Sequence, residues 1–563
     1  KVHNSALYLE VWVRFAGLIL FLGAVVHLAL GQAEPPTHGM VAADHRLASE
    51  AGAEVLEGGG NAADAAVATA LACGVVQPSS SGLGGGGFAI VSTKQGASVL
   101  DFREVAPGKA YADMYLDEDG NVRQGASTTG GLAVAVPGEP RGLVALWRQH
   151  GRLGLEEVAS PAIRLARDGF PGGTHLLEAM ERRPEVAFSS LWPLPDTTRI
   201  RRPRLAGAIS AWARTEGEAL VSGRIAEDLI ETVQAADGVL TLEDLAAYQP
   251  VSRAVLTGRY RGHEILTMPP PSSGGVVLLQ VLAVLEQTDI GQLEHNGPEH
   301  IHRLAEAMQH AYADRAATMG DPAFVTVPVE ELLSPKRIQE IRADFNPDKT
   351  HGRAHYGTNL APVEDGGTQH ISVLDGEGNA VALTTTINTG FGSGVVAKGS
   401  SIVLNNEMDD FVAKPGHPNA FGLIGRQANA VAPGKKPLSS MTPTIVTGPD
   451  GAPLIAIGAS GGPFIISSTL QVLSNILDFG MSPEMAVSAP RMHHQWVPET
   501  LFLDEGFPPE TLQSLIKIGH DVKEMSFFSS VQIVQAQSGG FVGASDPHKG
   551  GAPATSPRHK ATP

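Results

Sequence analysis

From Gly58 to Val76 the chain reads GGGNAADAAVATALACGVV, with small apolar residues at helical spacing, and this predicts a tightly packed, buried helix. Gln77 to Gly87 (QPSSSGLGGGG) then leads into Phe88-Ala-Ile-Val91, so a glycine loop is expected to join that helix to a strand. Thr241-Leu-Glu-Asp244 resembles a capping box before an apolar run, and Glu299 to Ala317 has helical periodicity. From about Ala343 to Gly367 the apolar pattern lapses into Asn, Asp, His, Gly and Pro, which predicts a long exposed loop. Two strand-like runs follow at once, Thr368-Gln-His-Ile-Ser-Val-Leu-Asp375 and Ala380-Val-Ala-Leu-Thr-Thr-Thr386, around Gly376-Glu-Gly-Asn379. They predict a hairpin. With its turn centred between Glu377 and Gly378, Thr368 faces Ile387, and Thr386 and Asn388 lie beside it at the open end.

Helices and strands are mixed throughout, and no period of roughly 20 to 50 residues repeats, which argues against solenoids and propellers. The length of 563 residues could hold several domains or one large layered enzyme. With 41 basic and 59 acidic side chains the net charge is −18, which argues against a nucleic-acid partner. A single cysteine, Cys73, excludes an intramolecular disulfide. Phe15 to Leu30 is an apolar run behind Arg14, followed by the small-x-small patterns Ala29-Leu-Gly31 and Gly31-Gln-Ala33. This reads as a secretory signal over residues 1–33, and it is shorter than the roughly 20 apolar residues that span a bilayer, so export is expected rather than an uncleaved anchor. The expected compartment is the periplasm or the extracellular space.

Several tempting motifs have plainer readings. Gly84 to Gly87 lacks the Lys-Ser/Thr of a phosphate loop and precedes a strand, so it is expected to permit close backbone approach. No G-x-S-x-G elbow is present. His493-His494 and the pair His351 and His355 lack a carboxylate or Cys at ligand spacing and are expected to be solvated or hydrogen-bonding, so no metal is assigned. Pro269 to Gly275 (PPPSSGG) reads as a rigid turn.

Thr368 is different because of its context. A polar loop ending at Gly367-Thr368, followed directly by a buried strand, is what a self-cleaving precursor with an N-terminal nucleophile requires. Downstream lie Asn405-Asn-Glu407-Met-Asp-Asp410, Lys436-Pro-Leu-Ser439-Ser440-Met441 and Gly458-Ala-Ser-Gly461-Gly462-Pro463. These offer carboxylates for a cationic group, hydroxyls, and backbone N–H groups able to hold an oxyanion.

Taken with Gly59-Gly-Asn-Ala-Ala-Asp-Ala-Ala66, Asp101-Phe-Arg-Glu-Val-Ala-Pro107, Asp365-Gly-Gly-Thr-Gln-His370, Pro437 to Pro443 and Arg491-Met-His-His-Gln495, these motifs make the sequence resemble the gamma-glutamyltransferase (gamma-glutamyl transpeptidase) family of N-terminal-nucleophile hydrolases. The resemblance covers nearly the whole chain after the signal. It implies an α+β fold, a four-layer αββα sandwich, and a precursor that cuts itself between Gly367 and Thr368 into a large subunit (34–367) and a small one (368–563). It implies Thr368 as nucleophile with Thr386 hydrogen-bonded to it, and Gly461 and Gly462 as oxyanion hole. Arg103, helped by Ser439 and Ser440, would take the glutamyl α-carboxylate, and Asn388, Glu407 and Asp410 its α-ammonium. Donors would be glutathione and related γ-glutamyl compounds, acceptors water, amino acids or dipeptides, with no cofactor.

Two departures stand out. Phe421, in Pro418-Asn-Ala-Phe-Gly-Leu-Ile424, occupies the lid position where Tyr is often found, and Glu407 is Gln in some bacterial relatives. Two other readings remain. One is a related acylase acting on glutaryl amides or poly-γ-glutamate, and the other is a non-processed scaffold protein that kept the fold.

Overall fold

The computed structural model describes residues 37–186, 199–357, 367–414, 417–526 and 529–557. The expected signal segment and the residues immediately before Gly367 lie outside them. One sheet has seven strands in the order β16-β1-β7-β8-β2-β3-β4. These are β1 (Thr37–Ala43), β2 (Gly86–Thr93), β3 (Gly96–Phe102), β4 (Val251–Arg253), β7 (Gly367–Asp375), β8 (Ala380–Asn388) and β16 (Ala554–Pro557). A six-stranded sheet has the order β15-β14-β10-β9-β6-β5. Its members are β5 (Leu256–Tyr260), β6 (His263–Thr267), β9 (Thr444–Thr447), β10 (Pro453–Ser460), β14 (Ser530–Gln537) and β15 (Gly540–Ser545). Three short strands, β11 (Met492–His493), β12 (Thr500–Leu503) and β13 (Asp521–Glu524), make a separate small sheet.

The two large sheets stack, with β10 and β14 lying over β7 and β8. Alternation along β7 shows how. Ile371 and Val373 join a core shared with the helices Arg46–Glu57, Ala62–Val76 and Leu155–Asp168, whereas Leu374 joins the core between the sheets. Beyond the six-stranded sheet lie the helices Gly274–Leu285, Pro298–Thr318 and Phe464–Leu477. The layers are therefore helix, sheet, sheet, helix, as the family resemblance implied.

The small-residue helix runs from Ala62 to Val76, every residue buried, and starts later than Gly58 because Asn61 caps it: Asn61 Oδ1 accepts from Ala63 and Asp64 N, while Asp64 Oδ2 accepts from Asn61 N. The box at Thr241 and Asp244 and the helix Pro298–Thr318 form as expected. The glycine loop does what its composition implies. A Cβ on Gly85 would stand 1.9 Å from Thr386 O, and one on Gly87 2.2 Å from Thr384 O, so β2 and its loop can lie against β8 only without side chains there.

Two expectations need correction. Thr368 faces Thr386, not Ile387. The hairpin loop is the three residues Gly376, Glu377 and Gly378, closed by Asp375 N to Asn379 O at 3.0 Å, with Gly378 at φ 87°. Facing residues share one side of a sheet, and Ile387 belongs to the helix-side core, so pairing it with Thr368 would invert the strand. The polar stretch after Ala343 is not a free loop over its described part: the helix Pro335–Asp344 enters it, and Tyr356 is pinned by its hydroxyl to Glu306 Oε2 at 2.7 Å.

Beneath β8, the fully buried Glu139 accepts a hydrogen bond from Thr385 Oγ1, and burial, reinforced by the nearby Glu104 charge, pushes its carboxyl up to about 8. A carboxyl raised in the folded state stabilises fully below its unfolded value near 4.5 and loses that contribution as pH rises through about 8. Glu139→Gln should therefore gain stability relative to the native chain between those limits, by up to about 1.4 kcal/mol per pH unit. Unfolding measured across that range checks this, and parallel pH profiles for the two proteins would contradict it.

Candidate functional site

The open end of the β7–β8 hairpin has a bulge between Gly367 and Thr368, which turns the Gly367 carbonyl toward Thr386. Thr386 Oγ1 donates to Gly367 O at 2.9 Å, accepts from Asn388 N at 2.9 Å, and lies 3.0 Å from Thr368 Oγ1. A hydroxyl has one proton, and that proton is on the Gly367 carbonyl, so Thr368 must donate to Thr386. One side chain thus polarises the carbonyl and orients the adjacent hydroxyl. Glycine is required at 367, since a Cβ there would meet Ser79 O at 2.4 Å. Asn388 has left-handed backbone, φ 77°, and its Nδ2 donates to Asn406 O at 3.0 Å.

Around Thr368 a cleft of about 300 Å³ is lined by Arg103, Thr386, Asn388, Glu407, Asp410, Phe421, Ser439, Ser440 and Gly462. Every site residue implied by the resemblance lines it except Gly461, which directly precedes Gly462. Both glycines have positive φ, 126° and 55°, where β10 ends and just ahead of the helix Phe464–Leu477. Phe421 covers this turn, because a Cβ on Gly462 would touch its ring at 2.8 Å.

The charged wall is built from buried groups in mutual contact. Asp101 Oδ1 accepts from Arg103 N at 3.0 Å and Tyr248 donates to Arg103 O at 2.9 Å, which fixes the arginine's backbone. Its guanidinium donates to Glu407 Oε1 and Asp410 Oδ2, with Glu104 3.8 Å away. Burial alone would lower Arg103; the three carboxylates outweigh it and raise it. Burial also pushes Glu407 well above the ordinary carboxylate range, raises Asp410, and raises Glu104 to about 7, with Arg103 opposing each. Both Glu104 carboxylate oxygens and Glu407 Oε2 are buried without a hydrogen-bond partner among the described residues, so the wall has acceptor capacity left for a donor. Asn405 holds this turn, its Oδ1 accepting from Glu407 N and Ala135 N at 3.0 Å each and its Nδ2 donating to Gly84 O at 2.8 Å.

Sequence reasoning missed four contributors. Arg315, buried, donates from Nε to Ser273 Oγ at 2.8 Å and from Nη2 to Ser440 Oγ at 3.4 Å. Its signal was present: Ile301, Leu304, Met308, Ala311 and Tyr312 share the buried face of the helix that Arg315 continues. Lys549 Nζ donates to Thr368 O at 2.8 Å and Ser460 Oγ at 2.9 Å from a turn near the C-terminus, with no pattern to reveal it. Asp409 and Asn419 tie the Phe421 loop to the carboxylates. Asp409 Oδ2 accepts from Ala420 N at 2.7 Å. Asn419 Oδ1 accepts from Phe421 N and Leu423 N, and its Nδ2 donates to Asp410 Oδ1 at 3.2 Å. His493, His494 and the Pro269 to Gly275 turn are structural. His493 is buried between Ser467 and Gln495, and His494 Nδ1 accepts from Trp496 N. The Pro269 to Gly275 turn is clamped to the Ser439 segment by Ser273 Oγ donating to Ser439 O at 2.7 Å.

A family profile for gamma-glutamyltranspeptidase matches residues 48–556. The chain belongs to the gamma-glutamyltranspeptidase family. It is 41% identical over 524 residues to the glutathione hydrolase proenzyme of Escherichia coli, with 90% of each chain covered. It is 39% identical to glutathione hydrolase 2 of Arabidopsis thaliana, over 92% of this chain and 93% of that one. Among solved structures, the cephalosporin acylase from Bacillus halodurans superposes with a TM-score of 0.80 at 28% identity, covering 92% of this chain and 96% of that one. Helicobacter pylori gamma-glutamyltranspeptidase aligns at 38% identity and TM-score 0.53, over 55% of this chain and 91% of that one. As a member of this family, the chain is an enzyme of the N-terminal-nucleophile hydrolase type.

Asn419→Ala should release the Phe421 loop without disturbing the sheets. Losing hydrogen bonds worth about 1 kcal/mol each should speed amide exchange at Phe421 and Leu423 roughly 5-fold or more, with β7 and β8 unchanged. Unaltered exchange at both amides would contradict the tether.

Proposed function

We propose that this chain cuts itself between Gly367 and Thr368 and then transfers or hydrolyses γ-glutamyl groups through an ester on Thr368. The observation that carries this reading is the Thr386 hydroxyl bonded to both Thr368 Oγ1 and Gly367 O. In the cut, Thr368 Oγ1 attacks the Gly367 carbonyl carbon, its proton passes through Thr386 or a water to the Thr368 nitrogen, and the Gly367–Thr368 C–N bond breaks to give an ester and a free amine. Water then hydrolyses the ester and leaves Thr368 with a free α-amine as the first residue of a small subunit, 368–563, opposite a large subunit, 34–367.

In the mature site that amine takes the proton from the Thr368 hydroxyl, directly or through a water. Its ordinary pKa of about 7.7 to 8.0 leaves a useful basic fraction near neutrality, and the Lys549 ammonium on the Thr368 carbonyl opposes its protonation. The amino-acid end of a γ-glutamyl group carries one carboxylate and one ammonium. It enters a wall that already holds both signs in contact, so binding exchanges internal pairs for substrate pairs and strands no buried charge. Arg103 with Ser439 and Ser440 takes the carboxylate, and Asn388, Glu407 and Asp410 take the ammonium. The N–H groups of Gly461 and Gly462 receive the oxyanion at the side-chain amide carbon.

Glutathione and related γ-glutamyl compounds fit as donors, and water, an amino acid or a dipeptide as acceptors; none of these steps calls for a cofactor. The apolar run from Phe15 to Leu30 supports export to the periplasm or extracellular space.

The acylase reading is separated by charge, because a glutaryl group lacks the ammonium that Glu407 and Asp410 would meet. γ-Glutamyl anilides should turn over faster than glutaryl anilides, and the reverse order would sink the assignment. Thr368→Ala should run as one uncleaved, inactive chain on a denaturing gel. Arg103→Ala should still be cut but raise KM on the order of 100-fold, from losing charge-assisted hydrogen bonds of about 1.5–3 kcal/mol each. Failure of the cut in the Arg103 variant would instead make that residue a structural support.

A further inference from the structure

Sequence spacing left His355 without a carboxylate partner, and the fold supplies one. The helix Pro298–Thr318 carries His310, the helix Pro335–Asp344 ends on Asp344, and His355 comes from the turn beyond it. His310 Nε2 and His355 Nε2 lie 2.9 and 2.5 Å from the same oxygen, Asp344 Oδ2, and all three atoms fall within 4.8 Å of one another. We propose that His310, Asp344 and His355 bind one divalent cation of the zinc type, at a site separate from the Thr368 cleft.

Two imidazoles and a carboxylate are the donor set that borderline cations prefer. Tetrahedral bonds of about 2.0–2.1 Å put neighbouring ligand atoms roughly 3.3 Å apart, so the two histidine–Asp344 distances need open by less than ~1 Å, with each ring carrying its proton on Nδ1. Access is available, since the His355 and Asp344 side chains are 37% and 29% exposed. That leaves the fourth position to water.

The arrangement does not depend on a cation to exist. Trp496 Nε1 donates to Arg353 O at 2.9 Å, and Arg353 N donates to Glu499 Oε1 at 2.9 Å, so the turn bearing His355 is held by its own backbone. The neighbouring cluster of His302, Glu306 and His520 differs. It is buried, and its atoms are engaged: His302 with His520 and Asn346 O, Glu306 with Thr350 and Tyr356.

Occupancy would cross-link the turn to the helix that also reaches the catalytic cleft, through Tyr312 donating to Pro463 O at 2.7 Å and Arg315 to Ser440. The proposal stands independently of the chemistry at Thr368.

The test uses full-length protein stripped of metal by a chelator, titrated with Zn²⁺ by calorimetry and with Co²⁺ by visible absorption. One equivalent should bind, with Co²⁺ giving the intense bands of a four-coordinate site. Asp344→Asn and His355→Ala should each weaken uptake at least ~10- to 100-fold, the loss that disturbing outer-shell partners already causes. Both positions are partly exposed, so neither variant requires the core to repack. Absence of saturable uptake by the native chain, or uptake undiminished in either variant, overturns the proposal.

Discussion

The hydroxyl of Thr386 is the contact on which the site depends. It is saturated by one donated and two accepted hydrogen bonds, so its orientation is not free, and it fixes the Gly367 carbonyl and the Thr368 hydroxyl relative to each other. The ladder shifts register here, Ile387 being the extra residue on β8 between the pairs Gly367–Asn388 and Thr368–Thr386, and Gly367 cannot carry a side chain because a Cβ there would collide with Ser79 O.

The sandwich explains why this arrangement sits where it does. Even-numbered residues of β7 face the second sheet, so Thr368 falls on the inner side at the end of the stack, beside the glycine turn after β10. The same interior location makes the charged wall costly. Arg103, Glu104, Glu407 and Asp410 are all buried or nearly so, and burial raises all three carboxyls while the one guanidinium opposes it. In the proposed reaction a zwitterionic substrate would meet charges already paired. The loop over the cleft answers to the same carboxylates through Asn419 and Asp409, which gives the lid a physical link to the state of the wall.

Local patterns revealed much of this from the sequence. The hairpin and the small-residue helix were legible because each rests on alternation or helical spacing, and the residues lining the cleft were legible through the resemblance of their motifs to a known family. The hairpin register was one residue off, since two centres for the turn fit the glycines and only the facing cores decide between them. Arg315 was visible in principle as a charged residue on an apolar face. Lys549 and the meeting of His310 with Asp344 and His355 were not, because each depends on separate segments being folded together, and Asn419 was not, because residue types do not specify the local turn that aims its side chain. Nor did residue types show that Arg103 is already paired with Glu407 and Asp410, which only the folded distances reveal.

In the proposed mechanism Thr368 becomes the first residue of the small subunit, and its Oγ1 carries the acyl group. Intact-mass and peptide analysis of the protein, quenched in acid while turning over a γ-glutamyl donor, is the decisive measurement. A small subunit beginning at Thr368 is expected, with a fraction heavier by one γ-glutamyl group located on that residue. A chain that remains whole, or an acyl group found on any other side chain, would contradict the mechanism.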